Sequence, residues 1–187
     1  MTKQAPQFLE TDRLKLRHWR KDDLEPFARL NGDRRVMEWF PKMLDRDETA
    51  AFIEYIQDHF ETHRFGLWAV ELKKSGEFIG FVGLWKPKFE ADFTPCVEVG
   101  WRLLAEHWGQ GYAPEAAIAS IEDGFERIGL DEIMSFTSIH NKKSIRVMEK
   151  LGLTRQADFE HPQLPEGHFL RPHVRYSIRK EDWHRAK

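Results

Sequence analysis

The sequence of 187 residues lacks several features that mark particular classes of protein. It contains a single cysteine, Cys96, which excludes an internal disulfide framework and a zinc cluster built from thiolates. No apolar run approaches the ~20 residues of a membrane span, and the stretch from Met1 to Gln7 shows neither the basic region nor the apolar run of a secretory signal. We therefore expect no contact with a membrane and a cytoplasmic location.

An excess of charge of one sign is also missing. The 29 Lys and Arg residues nearly balance the 31 Asp and Glu residues, and the basic residues are scattered rather than grouped in a long tract. Nucleic-acid binding needs a basic face or stripe, so we expect no nucleic-acid partner. Repeats, low-complexity tracts and linkers are absent too. The length suits one domain with a sizeable core, which we place over residues 1–187.

What is present is a hydrophobic periodicity that predicts an α+β chain with a mixed sheet. A first strand ending at Trp19 is followed by two helices, one over residues 21–31 and one that begins near Asp47. A meander of three strands comes next, and then helices and strands alternate. These later elements are strands at 66–72, 77–85 and 96–104, a helix at 113–128, a strand at 132–139, a helix at 144–151, and strands near 156–159 and at 174–178.

The most informative segment lies between a predicted strand and a predicted helix. Two glycines and an alanine let a ligand approach the backbone closely, and the first turn of the helix offers unpaired N–H groups at the positive end of its dipole. Pro114 lacks an N–H that a helix start does not need, which places that start near Tyr112 or Ala113. The pattern favours a pyrophosphate site, and a simple tight turn is the alternative. The segment consists of Trp108, Gly109, Gln110, Gly111, Tyr112, Ala113, Pro114 and Glu115.

Other phosphate-binding motifs fit this segment less well. No Lys-Ser or Lys-Thr pair follows the glycines, as a P-loop requires, and the third glycine of a dinucleotide fold is missing. The segment also follows an antiparallel meander, whereas a dinucleotide motif follows the first strand of a parallel unit. Both nucleotide-binding folds are therefore disfavoured.

At this segment the sequence resembles the GCN5-related N-acetyltransferase (GNAT) superfamily, in particular its branch of ribosomal-protein N-terminal acetyltransferase-like (RimJ/RimL-like) enzymes. The superfamily motif is Arg or Gln, two residues, Gly, one residue, and Gly or Ala. Trp108, Gly111 and Ala113 occupy those positions. Trp108 departs from the superfamily pattern, but Trp-Gly-x-Gly-Tyr-Ala resembles the form found in this branch. The departure concerns one polar phosphate contact and not the backbone cradle.

Three further matches extend the resemblance over roughly residues 9–183. Asn141 is followed three residues later by Ser144 and then by a Lys-Leu-Gly helix end, and the stretches 11–14 and 98–101 also match. The resemblance implies an α+β GNAT fold, with a mixed, mostly antiparallel, splayed sheet of about seven strands flanked by about four helices. It also implies that the pantetheine arm of acetyl-CoA enters between the parting strands 96–104 and 132–139.

The activity that the resemblance implies is acetyl transfer from acetyl-CoA to a primary amine of a protein N-terminus, an amino acid or a small molecule. Such amines titrate near ~8 to ~10.4, so a base has to remove a proton. Glu98 is our first candidate, because its position before the phosphate-binding segment resembles that of the glutamate base in histone acetyltransferase relatives. Glu160, Glu166 and water are the alternatives. A structural ion pair is the other role open to Glu98.

The resemblance also implies roles for the remaining candidates. The backbone N–H groups around Trp101, Arg102 and Leu103, where related strands carry a bulge, would hold the oxyanion. Asn141 would bind the pantetheine amide, and Ser144 would donate a proton or hydrogen bond to the departing thiolate. Capping of a helix is the alternative role for these last two residues. Together with residues 108–113 they form the expected acetyl-CoA site.

Histidine and aromatic residues give weaker signals. His59 and His63 are four residues apart on a predicted helix, but Glu61 is misplaced for a zinc motif and a third ligand is missing, so we expect no metal. Several other side chains are candidates for the walls of an acceptor cleft, although aromatic residues more often belong to the core. They are Trp39, Phe40, Trp85, His161, His168 and His173.

The competing hypothesis is a non-catalytic, regulatory module that binds acyl-CoA without turning it over. The joint presence of Glu98, Asn141 and Ser144 favours the enzyme. The expected partner is an amine acceptor, either a small molecule or a protein N-terminus, and a homodimer is left open.

Overall fold

The computed structural model describes residues 6–185 of the chain. Most of the N-terminal stretch from Met1 to Gln7 therefore lies outside the described residues. Within this range, no helix combines the length and apolar character that are needed to cross a membrane.

The chain folds into one open sheet with helices on both faces. Among residues 6–185 there are nine strands and six α-helices. The strands are β1 Phe8–Glu10, β2 Leu14–Arg17, β3 Leu67–Leu72, β4 Phe78–Trp85, β5 Glu98–Leu103, β6 Glu132–Ser138, β7 Thr154–Arg155, β8 Phe159–Glu160 and β9 Pro172–Arg179. The helices are α1 Leu24–Asn31, α2 Arg34–Met37, α3 Arg46–His63, α4 Tyr112–Asp123, α5 Lys142–Lys150 and α6 Lys180–Arg185.

The order of the strands explains how a cleft forms in the middle of the sheet. The order is β1-β2-β3-β4-β5-β6-β9-β7, with β8 paired to β9. Every pair is antiparallel except β5 with β6, which run parallel and share one register pair, Glu98 with Met134. The sheet is therefore splayed between β5 and β6.

Strand alternation assigns the helices to the two faces of the sheet. On one face, Phe81 of β4 contacts Phe27 of α1 and Phe52 of α3. On the other face, Leu84 lies against Gly124, which follows α4. Both faces are thus covered, and the buried apolar side chains form one continuous core. We call the first the α1/α3 face and the second the α4/α5 face.

The predicted fold class is confirmed, and the predicted number of elements is too low. The structure adds β1, the short helix α2 and the helix α6, and in place of the one tail strand expected near residues 156–159 it has two strands of two residues, β7 and β8. Strands of two or three residues are too short to carry a periodic signal, which explains these omissions. Helix ends were easier to predict: Gly129 and Gly152, with φ of 81° and 74°, follow the helical segments that they were expected to end.

Candidate active site

The splay between β5 and β6 opens one strand edge to the cleft. The Met134 N–H donates to the Val97 carbonyl at 2.9 Å, and the Ser135 hydroxyl donates to the Val99 carbonyl at 2.9 Å. Because backbone groups alternate in direction along a strand, the N–H and C=O of Trp101 face the same side as those of Val97 and Val99. Beyond Val99, no described residue of β6 pairs with this edge. We call the gap along this unpaired edge of β5, away from the point where the two strands still touch, the channel.

The backbone of Arg102 faces away from this channel. The register of β4 with β5 runs without a shift from the pair Trp85 and Glu98 to the pair Gly80 and Leu103. The prediction of a bulge in this part of β5 is therefore wrong. The register shift lies between β3 and β4 instead. Strand alternation turns the N–H of Arg102 toward β4, so among the three expected donors only Trp101 and Leu103 face the gap.

The loop after β5 has the backbone geometry of an anion site. Gly109 and Gly111 have φ of 76° and 82°, a left-handed conformation that side chains rarely adopt. Helix α4 begins at Tyr112, as the sequence predicts. The amides of residues 109–113 donate to no acceptor within residues 6–185, which leaves them open to a ligand at the positive end of α4. We call residues 108–114 the phosphate loop.

A side-chain clamp fixes this loop against the start of the chain. The Arg13 guanidinium donates to the Gln110 carbonyl at 3.0 Å and forms an ion pair of 2.6 Å with Glu115 in the first turn of α4. Glu115 also accepts hydrogen bonds from the Thr11 hydroxyl and the Arg13 N–H, and these partners hold the pKa of its carboxyl below the ordinary value despite partial burial. Sequence reasoning assigned no role to Arg13 or Glu115. The sequence signal for Arg13 was the match at residues 11–14, and Glu115 belongs to the segment 108–115.

Trp108 takes a structural position at the entrance of the loop. Its indole N–H donates to the Leu103 carbonyl at 2.9 Å, and the Lys143 ammonium of α5 lies 4.1 Å from the centre of its ring. The side chain therefore supports the loop, and Lys143 supplies a positive charge beside it.

Asn141 and Ser144 meet at the start of α5, across the channel from β5. The Asn141 side chain caps the helix by accepting from the Ser144 N–H at 3.2 Å, so the predicted capping role is confirmed. Ser144 Oγ accepts from Asn141 Nδ2 at 3.1 Å and from Trp101 Nε1 at 3.3 Å. Because two donors already point at this oxygen, its own proton is directed elsewhere and can serve a third group.

Glu98 lies on the α1/α3 face, where β5 and β6 still pair. Burial raises the pKa of its carboxyl to about 8, and no described residue forms a hydrogen bond or ion pair with it. Burial likewise raises the pKa of the Cys96 thiol to about 11, so this thiol stays protonated near neutral pH and is a poor nucleophile. A carboxyl with this pKa is deprotonated above about pH 8 and can then accept a proton from an amine.

Gly100 leaves the floor of the cleft bare between Glu98 and Arg102. It is opposite the buried Gly83 of β4, and a Cβ atom added to Gly100 would meet nothing within 4 Å. The same face carries Glu98 opposite Trp85 at one end and Arg102 at the other. Sequence reasoning missed this bare patch, because the open space at Gly100 depends on how distant segments pack around β5.

The tail glutamates are less suited to the role of base. Glu160 is opposite Pro172 in the strand register, whereas its neighbour Phe159 is opposite His173 on the face of Glu98. By alternation, Glu160 points to the other face, where it forms an ion pair of 3.0 Å with Arg171. Glu166 is exposed in the loop between β8 and β9.

The candidate walls of the cleft lie in several separate places, with Trp85 stacked on His59. Phe40 covers Arg102, with its ring centre 3.9 Å from the guanidinium carbon. Trp39 belongs to a stack with His140 and the exposed Phe169. His161 and His173 lie with phenylalanines in a cluster on the face of Glu98, and His168 accepts a local bond from the Leu170 N–H.

His59 is occupied by hydrogen bonds of its own. Its Nδ1 bonds the Phe65 carbonyl at 2.9 Å, its Nε2 accepts from the Lys86 N–H at 3.1 Å, and its ring stacks on Trp85. Both ring nitrogens are used, which leaves no lone pair for a metal. Among residues 6–185 no group of three or more His, Cys, Asp and Glu side chains is placed to hold a metal ion.

Comparison with known proteins places these features in a family. A family model described as an acetyltransferase (GNAT) domain matches residues 13–154. Protein YkkB of Bacillus subtilis is 33% identical over 146 residues, covering 78% of this chain and 84% of YkkB. The FsC-acetyl coenzyme A-N(2)-transacetylase of Aspergillus fumigatus is 32% identical over an alignment that covers 100% of this chain and 82% of the relative.

Solved structures support the same assignment. The GNAT-family acetyltransferase from Bacillus anthracis superposes with a TM-score of 0.78 at 25% identity, covering 93% of this chain and 99% of that protein. GNAT acetyltransferases use acetyl-CoA, and the loop and channel described above lie within the matched residues. The chain therefore belongs to the GNAT acetyltransferase family.

Proposed function

We propose that this chain is an N-acetyltransferase of the RimJ/RimL-like branch that moves an acetyl group from acetyl-CoA to a primary amine. The observation that carries the proposal is the continuity of open backbone from the amides of residues 109–113 along the free edge of β5 to Glu98. An anion site at one end and an acid–base group at the other are what a phosphate-bearing thioester and its acceptor require.

The chain offers suitable groups for acetyl-CoA. The amides of residues 109–113 would bind the diphosphate, since Gly109 and Gly111 carry no side chain that would block its approach. Lys143 would add a positive charge beside the same loop. The open edge of β5 would bind the amide groups of the pantetheine arm. Asn141 would accept from one of them through its side-chain oxygen, because both of its amide hydrogens are donated to Thr137 and Ser144. Bound acetyl-CoA supplies an activated thioester.

Glu98 would act as the general base. The amine nitrogen forms a bond to the thioester carbon and loses one proton, and the bond from that carbon to sulfur breaks. Glu98 has no competing partner among the described residues, and its raised pKa of about 8 is close to that of an α-amine near ~8. The backbone N–H of Trp101 would stabilise the charge that develops on the carbonyl oxygen.

Ser144 would stabilise the leaving group on the other side of the reaction by a hydrogen bond while keeping its own proton. The departing sulfur leaves as a thiolate and takes its proton from solvent. Two hydrogen bonds already end at Ser144 Oγ, so its proton is free to point toward the channel. The proton taken by Glu98 returns to solvent after the product leaves.

A thiol-release assay tests this proposal against the non-catalytic alternative. The purified chain would be mixed with acetyl-CoA and a panel of free amino acids, small amines and peptides with free N-termini. Release of thiol that depends on the amine supports the enzyme. Tight binding of acetyl-CoA by calorimetry without thiol release across the panel would establish a regulatory acyl-CoA-binding module instead.

A further inference from the structure

The side chain of Arg102 is a buried cation that has no anionic partner. It is 9% exposed, and its Nε is buried without a hydrogen-bond partner. Its Nη1 donates to the side-chain oxygen Oδ1 of Asn31 at 2.7 Å. No Asp or Glu among residues 6–185 forms an ion pair with it. A buried charge without a partner is costly, so its retention calls for an explanation.

The surroundings of Arg102 hold the guanidinium in place without neutralising it. The ring centres of Phe40, Phe81 and Phe52 lie 3.9, 5.3 and 5.8 Å from its central carbon. Asn31 is itself fully buried and bonds to Thr49 of α3, which fixes the one oxygen that the arginine reaches. Aromatic faces and one amide oxygen orient a guanidinium, but they leave its positive charge available to a ligand.

Arg102 and the candidate base Glu98 lie on the same strand and on the same face of the sheet. Arg102 is four positions after Glu98 in β5, about 13 Å between Cα atoms, and both side chains lie on the α1/α3 face. Gly100, where an added Cβ would meet nothing within 4 Å, lies between them and forms a bare floor. A small molecule resting on this floor would have an acid–base group at its amine end and a guanidinium at its other end.

We propose that Arg102 binds the carboxylate of the acceptor, so that the substrate is a small amine that also carries a carboxylate, such as a free amino acid. This inference rests on the proposed function. Guanidinium and carboxylate match in charge and in geometry, and a carboxylate at Arg102 would supply the missing counter-ion. The free N-terminus of a long protein has an amide carbonyl at that position and would leave the arginine unpaired.

Matched pairs of acceptors test the inference. Thiol release would be measured with alanine against alaninamide and with phenylalanine against phenylalaninamide, together with a peptide that begins with alanine. For the wild type, kcat/KM should favour the carboxylate over the amide by roughly 10- to 100-fold, the range expected for one charge-assisted contact. In Arg102→Gln the preference should fall to within about threefold, mainly through KM, with the affinity for CoA unchanged. Comparing the ratios between variants cancels the intrinsic reactivity of each amine.

Two further variants are controls for a change in folding. Arg102→Lys keeps a positive charge and should retain part of the preference, whereas Arg155→Gln, at an exposed ion pair with Asp158, should behave as the wild type. Thermal denaturation would check that each variant is folded. A wild type that does not discriminate between carboxylate and amide would overturn the inference, and so would a preference that survives in Arg102→Gln.

A binding measurement separates this inference from the proposed function. With CoA present, calorimetry would compare N-acetylalanine with N-acetylalaninamide on the wild type and on Arg102→Gln. If no amine releases thiol, the proposed function fails, and carboxylate-specific binding that depends on Arg102 would still support the anion site. Thiol release from amines together with equal binding of the two ligands would leave the enzyme in place and refute the carboxylate site.

Discussion

The indole N–H of Trp101 donates to Ser144 Oγ at 3.3 Å, and this bond joins β5 to α5 across the splayed part of the sheet. The two side chains are 43 residues apart in the chain and lie on the α4/α5 face. The bond has a chemical consequence, because it occupies an acceptor site of the hydroxyl and turns its proton toward the channel. Trp101 is thus a positioning residue for Ser144.

Replacement of Ser144 by alanine should lower kcat about tenfold, the effect of losing one hydrogen bond to a charge that develops during the reaction. The KM for acetyl-CoA should change little, because the backbone N–H of Ser144 keeps its bond to Asn141. Steady-state kinetics of thiol release would measure both constants. Ser144→Thr is the matched control, since it keeps the hydroxyl and should keep most of the activity. Full activity in Ser144→Ala would assign the serine to helix capping alone.

The role of Glu98 predicts a specific dependence on pH. Its pKa is raised to about 8, so the carboxyl is protonated and inactive as a base below that pH and becomes active above it. The rate should therefore rise with pH up to about 8 and then level off. Glu98→Gln should remove the part of this rise that the carboxyl contributes, leave the part that comes from the acceptor amine, and lower kcat by roughly 100-fold.

The measurement is a pH profile of kcat/KM for both proteins with the same amine, so that titration of the acceptor contributes equally. Glu160→Gln is the control, because Glu160 faces the other side of the sheet and pairs with Arg171. Profiles of the same shape for Glu98→Gln and the wild type would assign proton removal to the tail or to water.

The phosphate loop gives a prediction with a built-in control for backbone strain. Gly111 and Gly76 have φ of 82° and 73°, so a side chain at either position adopts an unfavourable conformation. Gly111→Glu would also fill the site of the diphosphate with bulk and like charge, whereas Gly76 lies in the turn between β3 and β4 with open space around it. Calorimetry should show that Gly111→Glu no longer binds acetyl-CoA and that Gly76→Glu binds normally. Equal affinities in the two variants would refute the placement of the diphosphate.

Local sequence signals predicted the starts of helices α4 and α5 well and the cleft poorly. The helix start at Tyr112 and the cap at Asn141 follow from interactions within a few residues, and short-range patterns report such interactions directly. The bare floor at Gly100 depends on how distant segments pack around β5, which local patterns do not encode.

The same limit explains the interpretation of Arg102. As one residue of a predicted strand, it was assigned only a backbone role, and its side chain meets Asn31 and Phe40 through contacts that cross 71 and 62 positions of the chain. Long-range contacts of this kind are set by the packing of α1 and the segment after α2 on the sheet. No local periodicity encodes them.

Stability should fall as the pH drops below neutral, partly through His59. Burial lowers the pKa of its imidazole from 6.5 to about 4, and the Lys86 N–H donates to the neutral ring. Between these two values the unfolded chain binds a proton that the folded chain does not, so the contribution is complete above pH 6.5 and is lost as the pH falls to about 4. It amounts to about 1 to 3 kcal/mol.

Urea unfolding of the wild type and of His59→Gln at pH 7, 6 and 5 would isolate this contribution. The variant should be less stable at pH 7, and its free energy of unfolding should decline less steeply as the pH falls. His161, whose pKa is also lowered to about 4 by burial, titrates in both proteins and cancels in the comparison. Parallel pH dependences would mean that His59 titrates normally in the fold.

The bare floor of the cleft predicts that activity and stability can be separated at one position. Gly100→Val adds a branched side chain that strands accommodate well, and its Cβ would meet nothing within 4 Å, so the melting temperature and the affinity for CoA should not fall. The same side chain would occupy the space between Glu98 and Arg102 where the acceptor is expected. The KM for the amine should therefore rise by at least about tenfold, as expected when a binding surface is blocked. If thiol release remains normal in a folded Gly100→Val protein, the acceptor binds on another surface, and both Glu98 and Arg102 lose the roles that their shared face implies.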